Sequence, residues 1–208
     1  MAVFFRLLYH QFAWSYDLVA AIVSFGKWKD WVRSIVKYLE PVSTLELGFG
    51  PGHLQSYLLS RKYPIYGVDL SPQMCQIASH RLKSDGLSKN ISCATSTALP
   101  FPDNSFRQAI ATFPSEYILF PETLTEVRRV LKPGGKLVIL AMARLTGRTI
   151  PERIMALVYH TTGQTIDLEN RTLERILQPF STLGFKVSID EMVVQNASLT
   201  FLTATLPE

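Results

Sequence analysis

The chain has 208 residues, of which 47% are apolar and 18% charged, and its formal net charge is +4. This length and apolar content predict one compact domain over residues 1–208 and exclude a disordered chain. The excess of Lys and Arg forms no basic block, which argues against nucleic-acid recognition as the main function. Cys75 and Cys93 have no metal-ligand spacing, so we expect reduced thiols and no metal site.

The first 40 residues form a predicted N-terminal helical segment. The apolar runs at residues 1–8 and 18–25 are too short to cross a bilayer, and no secretory leader pattern is present, so a cytoplasmic protein is expected. From Trp28 to Leu39 the apolar residues recur at helical spacing, and Glu40-Pro41 ends this run. The pattern predicts an amphipathic helix that packs on a sheet.

From residue 44 onward the pattern alternates between short strands and helices. Ser71 and Pro72 are typical of a helix start, and Gly184 is typical of a helix end. The predicted strands are 44–47, 65–68, 91–94, 108–113 and 136–142; the predicted helices include 53–61, 122–131 and 171–183. Such alternation predicts a doubly wound α/β fold with parallel strands. The runs 185–194 and 198–206 predict a final antiparallel hairpin.

A glycine-rich loop, Gly48-Phe49-Gly50-Pro51-Gly52, follows the first predicted strand. At the carboxyl end of a parallel strand, a backbone without Cβ atoms lets a ligand lie against the chain. A dinucleotide-binding loop would need glycine where this chain has His53, and the carboxylate of Glu46 would repel a pyrophosphate. An NAD-dependent enzyme is therefore disfavoured, and a ligand with an ammonium or sulfonium group is favoured.

Four segments in order resemble the class I S-adenosylmethionine-dependent methyltransferases. They are Glu46–Gly52, Asp69 at the end of the second strand, Leu99–Phe106 and Glu126–Gly135. Upstream, residues 12–17 are similar to a segment of small-molecule methyltransferases of the quinone-biosynthesis type. The resemblance implies a mostly parallel, seven-stranded α/β sheet with the hairpin at its C-terminal end, which is the Rossmann-like methyltransferase fold.

The same resemblance implies S-adenosyl-L-methionine as cofactor. Asp69 would bind the ribose hydroxyls, Leu70 would lie against the adenine, and Glu46 would lie near the amino acid end. Where the family has an acid for the adenine amino group, this chain has Thr95, whose uncharged hydroxyl makes a weaker hydrogen bond. The implied cofactor-binding residues are Tyr16, Glu46, Gly48, Phe49, Gly50, Gly52, Asp69, Leu70, Thr95 and Ser96.

Residues 113–117 follow the fourth strand, where acceptors meet the methyl group in this family. They lack the motifs of the DNA, glutamine and cytosine-C5 methylating enzymes, so a small-molecule acceptor is expected. The candidate acid or base residues are Glu116, Tyr117 and His160. Methyl transfer from a sulfonium is an in-line displacement, so alignment matters more than a base. The alternative is a binding or scaffold protein without turnover, which the departure at Thr95 favours.

The nature of the acceptor is predicted from the first 16 residues and from a predicted cap at 146–168. Both are richer in apolar side chains than cover of the sheet requires. Segments that close over a site line it with their apolar face, so we expect a small apolar or aromatic acceptor, such as a quinone, phenol or lipid-like metabolite. The mixture of Trp and Lys at residues 27–31 predicts a weak association with membrane surfaces. The oligomeric state stays open.

Overall fold

The computed structural model describes residues 26–146 and 170–208. Its strands are β1 (Thr44–Leu47), β2 (Ile65–Asp69), β3 (Ile91–Cys93), β4 (Phe106–Thr112), β5 (Leu131–Leu145), β6 (Lys186–Val194) and β7 (Ala197–Thr205). Its α-helices are α1 (Trp28–Arg33), α2 (His53–Leu59), α3 (Pro72–Ser84), α4 (Pro121–Val130) and α5 (Asn170–Thr182). Two 3₁₀ turns, Ser34–Tyr38 and Glu116–Leu119, follow α1 and β4.

The seven strands form one sheet in the order β3-β2-β1-β4-β5-β7-β6. Strands β1 to β5 pair in parallel, whereas β7 runs antiparallel to both β5 and β6. The strand order reverses direction at β1, so the carboxyl ends of β1 and β4 flank the point where a doubly wound sheet opens a crevice. The predicted doubly wound sheet and its C-terminal hairpin are confirmed.

Two predicted elements differ in their bounds. The predicted helix over 28–39 is α-helical only to Arg33, because the Ser34 hydroxyl donates to the Trp31 carbonyl at 2.5 Å and the chain tightens into a 3₁₀ turn. The fifth strand starts at Leu131 rather than at residue 136. Its ladder jumps from the pair Phe106–Leu131 to the pair Gln108–Lys136, so the predicted turn at 132–135 is a bulge within the strand.

Apolar side chains cover both faces of the sheet. On one face α1, the 3₁₀ turn that follows it and α2 bury Trp31, Ile35, Leu54 and Leu58 against the strands. On the other face α4 and α5 bury a second set, including Phe180. The burial of Trp31, Ile35 and Leu39 confirms the predicted packing of the first helix on the sheet. With both faces occupied, polar chemistry is left to the ends of the strands.

Arg129 ties the loop before β4 to helix α4. Its guanidinium donates to the carbonyls of Leu99 and Phe101 at 3.1 and 2.8 Å, and to the carboxylates of Asp103 and Glu126. Glu126 in turn accepts the Leu99 N–H at 2.7 Å. The hydrogen bonds from Arg129 hold the pKa of Glu126 below its usual value. The segments Leu99–Phe106 and Glu126–Gly135, both identified above by resemblance, are thus joined into one hydrogen-bonded unit.

Several sequence predictions concern residues outside those described. They concern residues 1–25 of the N-terminal segment and residues 147–168 of the predicted cap. The assignment of residues 1–208 to a single domain includes both ranges and therefore stays a prediction. Within 26–146 and 170–208, no helix has the length and apolar character needed to cross a membrane. Trp31, part of the Trp and Lys pattern at 27–31, is buried in the core and cannot contact a membrane surface.

We expect Arg129→Met to lower the free energy of unfolding by about 2 to 3 kcal/mol. The substitution leaves two backbone carbonyls and two carboxylates without this donor. Urea unfolding, followed by circular dichroism, measures the change. The matched control is Arg128→Met on the same helix, whose side chain is exposed and whose loss is expected to cost less than about 0.5 kcal/mol. Equal losses in both variants would contradict the role of Arg129.

Candidate active site

The candidate site lies where β1, β2 and β3 end side by side. In the parallel ladders Leu47 is paired with Val68, and Asp69 is paired with Cys93. The glycine loop that follows β1 and the residues that follow β2 and β3 therefore reach the same edge of the sheet. The sequence predictions placed the cofactor at this edge, and most of the described cofactor-binding candidates meet here.

Asp69 joins the loop after β1 to the turn after β2. Its Oδ2 atom accepts the Gly50 N–H at 2.8 Å, and its Oδ1 atom accepts the Ser71 N–H at 2.9 Å. Burial raises the pKa of Asp69, and the two backbone hydrogen bonds oppose that rise. A carboxylate has about four lone-pair positions, so each oxygen keeps room for one more donor. Asp69 is thus oriented by the backbone and can accept two hydroxyl groups.

Gly48 and Gly50 have different surroundings. Both adopt the left-handed backbone region, with φ of +72° and +54°. A Cβ at Gly48 would lie 2.6 Å from the Tyr117 hydroxyl, whereas a Cβ at Gly50 would meet nothing within 4 Å. The Tyr117 hydroxyl donates to the Leu47 carbonyl at 3.1 Å. The structure therefore brings the acid or base candidate Tyr117 to the start of the glycine loop, and leaves open space at Gly50 that a ligand can fill.

Glu46 is buried beneath this loop, with only 1% of its surface exposed. Its Oε2 atom accepts the Gln55 Nε2 hydrogen at 2.8 Å, and the same Nε2 atom lies 3.2 Å from the Tyr66 carbonyl oxygen. Burial is the main reason that the pKa of Glu46 rises to about 7. Glu46 is therefore an acid that is half protonated near neutral pH, and it reaches the loop from within the protein.

The residues predicted to bind adenine differ in orientation. Leu70 is 71% exposed and offers an apolar surface beside Asp69. The hydroxyl of the half-buried Thr95 lies 2.8 Å from that of the exposed Thr97. The Ser96 hydroxyl lies 3.0 Å from that of the buried Thr123. Leu70 is thus exposed, Thr95 is paired with Thr97, and Ser96 is hydrogen-bonded to helix α4.

The segment after β4 adjoins the same edge of the sheet. Phe113 has a φ of +47°, an uncommon conformation for a bulky residue, and its ring lies 4.5 Å from the ring of Trp28. Glu116 is exposed in the 3₁₀ turn that also carries Tyr117. Residues held in such backbone conformations cluster at functional sites. The segment therefore places Tyr117 against the glycine loop, with Phe113 and the exposed Glu116 nearby in the chain.

Both cysteines lie beside the Asp69–Leu70 backbone as free thiols. The Cys75 and Cys93 sulfur atoms lie 3.5 and 3.9 Å from the carbonyl oxygens of Asp69 and Leu70. Burial, and then the neighbouring Cys93, raise the pKa of Cys75 to about 12. Cys75 therefore stays protonated at neutral pH and is a structural rather than a nucleophilic residue.

Sequence reasoning missed one buried partner, Gln55. Gln55 interrupts the buried face of α2 beside Leu54 and Leu58, and this polar interruption was the available signal. The Phe49 ring is buried, so only its backbone faces the loop surface. Tyr16 and His160 lie outside the described residues. Within the described ranges, no group of three His, Cys, Asp or Glu side chains could hold a metal ion.

Comparison with known proteins points to one family. A family model described as a methyltransferase domain matches residues 45–139. The ubiquinone/menaquinone biosynthesis C-methyltransferase UbiE of Shewanella sp. (strain W3-18-1) is 31% identical over 146 residues, which are 66% of this chain. The match covers 58% of that relative, so the chain spans less than two thirds of its length.

Solved structures share the fold at low sequence identity. An S-adenosyl-L-methionine-dependent methyltransferase of Methanococcus maripaludis superposes with a TM-score of 0.66 at 16% identity, covering 94% of this chain and 92% of the other. The [4+2]-cyclase SpnF superposes with a TM-score of 0.58 at 20% identity, covering 86% and 79%. These similarities confirm the predicted fold. Because a cyclase shares it, the fold alone does not identify the reaction.

We expect the Glu46 carboxyl to make stability depend on pH. Its pKa is about 7 in the folded chain against an ordinary 4.5, so the folded state holds a proton that the unfolded state releases. This contribution to the free energy of unfolding is present below about pH 4.5 and is lost as pH rises to about 7 and above. The full change is about 3 kcal/mol. The control is Glu46→Gln, which keeps an acceptor for Gln55 but does not titrate.

Urea unfolding of both proteins at a series of pH values from 4 to 8 measures this effect. The unfolding free energy of the natural chain, measured relative to that of Glu46→Gln, should fall as pH rises. A difference that stays constant across this range would show that Glu46 keeps an ordinary pKa.

We expect Gly48→Ala to be destabilising through its contact with Tyr117. In the Tyr117→Phe background the hydroxyl is gone and the next ring atom is at an ordinary 3.6 Å, so the cost of Gly48→Ala should fall by about 1 kcal/mol or more. A double-mutant cycle by thermal or urea unfolding measures this coupling. Gly50→Ala, which also has positive φ but meets open space, should show no coupling to Tyr117→Phe.

Proposed function

We propose that this chain, whose residues 45–139 match a family model described as a methyltransferase domain, transfers a methyl group from S-adenosyl-L-methionine to a small apolar or aromatic acceptor. One observation carries the proposal. Asp69, Gly50 and the exposed Leu70 form a preorganised surface at the carboxyl end of the sheet. This surface has the shape and polarity of a nucleoside site.

The residues present fit the nucleoside half of the cofactor. Asp69 is held by Gly50 and Ser71 and keeps two lone-pair positions, which match two ribose hydroxyls. Leu70 supplies an exposed apolar surface for the adenine ring. Thr95 and its partner Thr97 offer hydroxyl groups to the adenine edge, with no charged acceptor. The open space at Gly50 lets the cofactor lie against the backbone.

The residues around Glu46 fit the charged half. A buried carboxyl whose pKa is near 7 is readily ionised by a neighbouring cation, because the cation favours the charged form. An ammonium or sulfonium group bound at the loop would therefore draw the Glu46 proton off at neutral pH. Tyr117, whose hydroxyl is anchored on the Leu47 carbonyl, would then lie at the boundary between the cofactor and the acceptor.

The bound cofactor supplies an electrophilic methyl group on a positively charged sulfur. The chain has to align the acceptor behind that methyl carbon and keep water out, which accounts for most of the rate gain in such displacements. We assign alignment to Tyr117 and to the aromatic pair of Phe113 and Trp28. Glu116, exposed on the same turn, is the candidate to take a proton from the acceptor. His160 stays a second candidate.

The aromatic side chains support the class of acceptor. Tyr117 lies against the glycine loop, the Phe113 and Trp28 rings pair in the segment after β4 and in α1, and aromatic surface favours flat apolar molecules. The similar relative is named as a C-methyltransferase of ubiquinone and menaquinone biosynthesis. We therefore propose a quinol or phenol as the first acceptors to test, with methylation at ring carbon. We also propose that the protein lies in the cytoplasm and associates weakly with membrane surfaces.

We expect Asp69→Ala to weaken S-adenosyl-L-methionine binding by about 1.5 to 3 kcal/mol, which is the usual contribution of hydrogen bonds to a charged group. Titration calorimetry measures the affinity. The control is Asp190→Ala, on strand β6 at the opposite edge of the sheet from β3. Unchanged affinity in Asp69→Ala would remove Asp69 from the cofactor site.

The activity is tested by screening methyl transfer from radiolabelled cofactor to quinols, phenols, amines, carboxylates and RNA. We expect turnover on quinols or phenols, and a loss of at least about tenfold in kcat/KM in Tyr117→Ala with a smaller change in cofactor affinity. Turnover only on RNA or on a strongly charged metabolite would contradict the apolar acceptor. Cofactor binding without any turnover would favour a binding or scaffold protein instead.

A further inference from the structure

A second concave surface lies among helices α1, α2 and α3. It is an open cleft with a volume of about 370 Å³ and is lined by eight residues. Four of these side chains are cationic, namely Lys29, Arg33, Arg61 and Arg81. Two more, Ser56 and Ser60, carry hydroxyl groups. None of the described lining residues is Asp or Glu. We call this surface the basic cleft.

The arginines of the basic cleft are held in place by one ring. The guanidinium carbons of Arg33 and Arg61 lie 4.6 and 3.8 Å from the centroid of the Tyr57 ring. Arg61 also donates to the Tyr57 carbonyl at 3.3 Å. A guanidinium that stacks by its face keeps its N–H groups in its own plane, where they can reach an anion. Two arginines from different elements are thus preorganised around a single side chain.

Among residues 26–146 and 170–208, hydrogen bonds connect the region of the basic cleft to two acids and one carbonyl. Asp85 borders it and accepts the Ser56 hydroxyl at 2.5 Å. Asp30, on α1, accepts from Gln195 of the β6–β7 turn at 2.6 Å. Arg81 is anchored on the Pro51 carbonyl at 2.8 Å. The repulsion among the cations of one cleft disfavours the empty state, and a multiply charged anion relieves it.

We propose that the basic cleft binds a phosphate-bearing ligand with at least two negative charges. Arginine forks and serine hydroxyls match the oxygens of phosphate groups, and the open space accommodates a diphosphate. The cleft adjoins the glycine loop through His53 and through Arg81, which donates to the Pro51 carbonyl, so the variants that test it are made at Arg33 and Arg61. The phosphate can belong to a free metabolite or to the headgroup of an anionic lipid.

Inorganic pyrophosphate is the probe for the free form. Titration calorimetry on the full chain in low salt should show saturable binding that weakens as KCl is raised. Arg33→Gln/Arg61→Gln should weaken it at least about tenfold. The matched control, Arg107→Gln/Lys186→Gln, removes the same net charge from two exposed side chains outside the cleft lining and should change the affinity by less than about twofold. Circular dichroism verifies that each variant is folded.

Vesicles distinguish the two sources. Flotation with phosphatidylcholine vesicles that do or do not contain phosphatidylglycerol, repeated with both double variants, tests the lipid headgroup. Binding of the phosphatidylglycerol vesicles that requires Arg33 and Arg61 assigns the lipid; pyrophosphate binding with no flotation assigns a free metabolite. If the cleft variant does not fold, Lys29→Gln, an exposed position, provides the same comparison. Binding of neither probe, or equal losses in the cleft and control variants, overturns the proposal.

Discussion

The candidate active site depends on one carboxylate, that of Asp69. It accepts an N–H from the glycine loop after β1 and another from the start of α3. Without it, the Gly50 N–H would lack this partner, and the two crossover connections would be joined mainly by the hydrogen bond from Arg81 to the Pro51 carbonyl. The same carboxylate keeps lone pairs for a ligand, so one group both shapes the loop and faces the space where a cofactor would lie.

Burial of Glu46 next to this loop has a cost that the fold tolerates. A carboxyl in the core is disfavoured when charged, and Gln55 compensates only partly because its own Oε1 atom has no hydrogen-bond partner among the described atoms. Replacement by an apolar residue of similar size would remove the cost, so stability alone does not explain Glu46. The cation that we propose at the loop would account for it, because such a cation would gain from a charge held in a medium of low polarity.

Most of the fold was predictable because its signals are local. The strand at 44–47, the Ser71 cap with Pro72, and the hairpin at the C-terminal end each follow from a few neighbouring residues. The early end of α1 was not predictable from its periodicity, since it follows from the bond between the Ser34 hydroxyl and a carbonyl of the preceding turn. Glu46, Asp69 and Leu70 were predicted from their motif. Gln55 and the stacking of Arg33 and Arg61 on Tyr57 depend on contacts between elements, which periodicity does not report.

The glycine loop is held from several sides, and this determines where specificity can arise. Asp69 binds its Gly50 N–H, Arg81 binds its Pro51 carbonyl, and Gly52 packs so closely on Ala78 that a Cβ would lie 2.8 Å from that side chain. A loop fixed in this way needs little ordering when a cofactor arrives, which favours affinity. It also cannot adapt to different partners. Among the described residues, differences in acceptor are therefore expected in the segment after β4, where Phe113 has a positive φ and Tyr117 lies in a 3₁₀ turn.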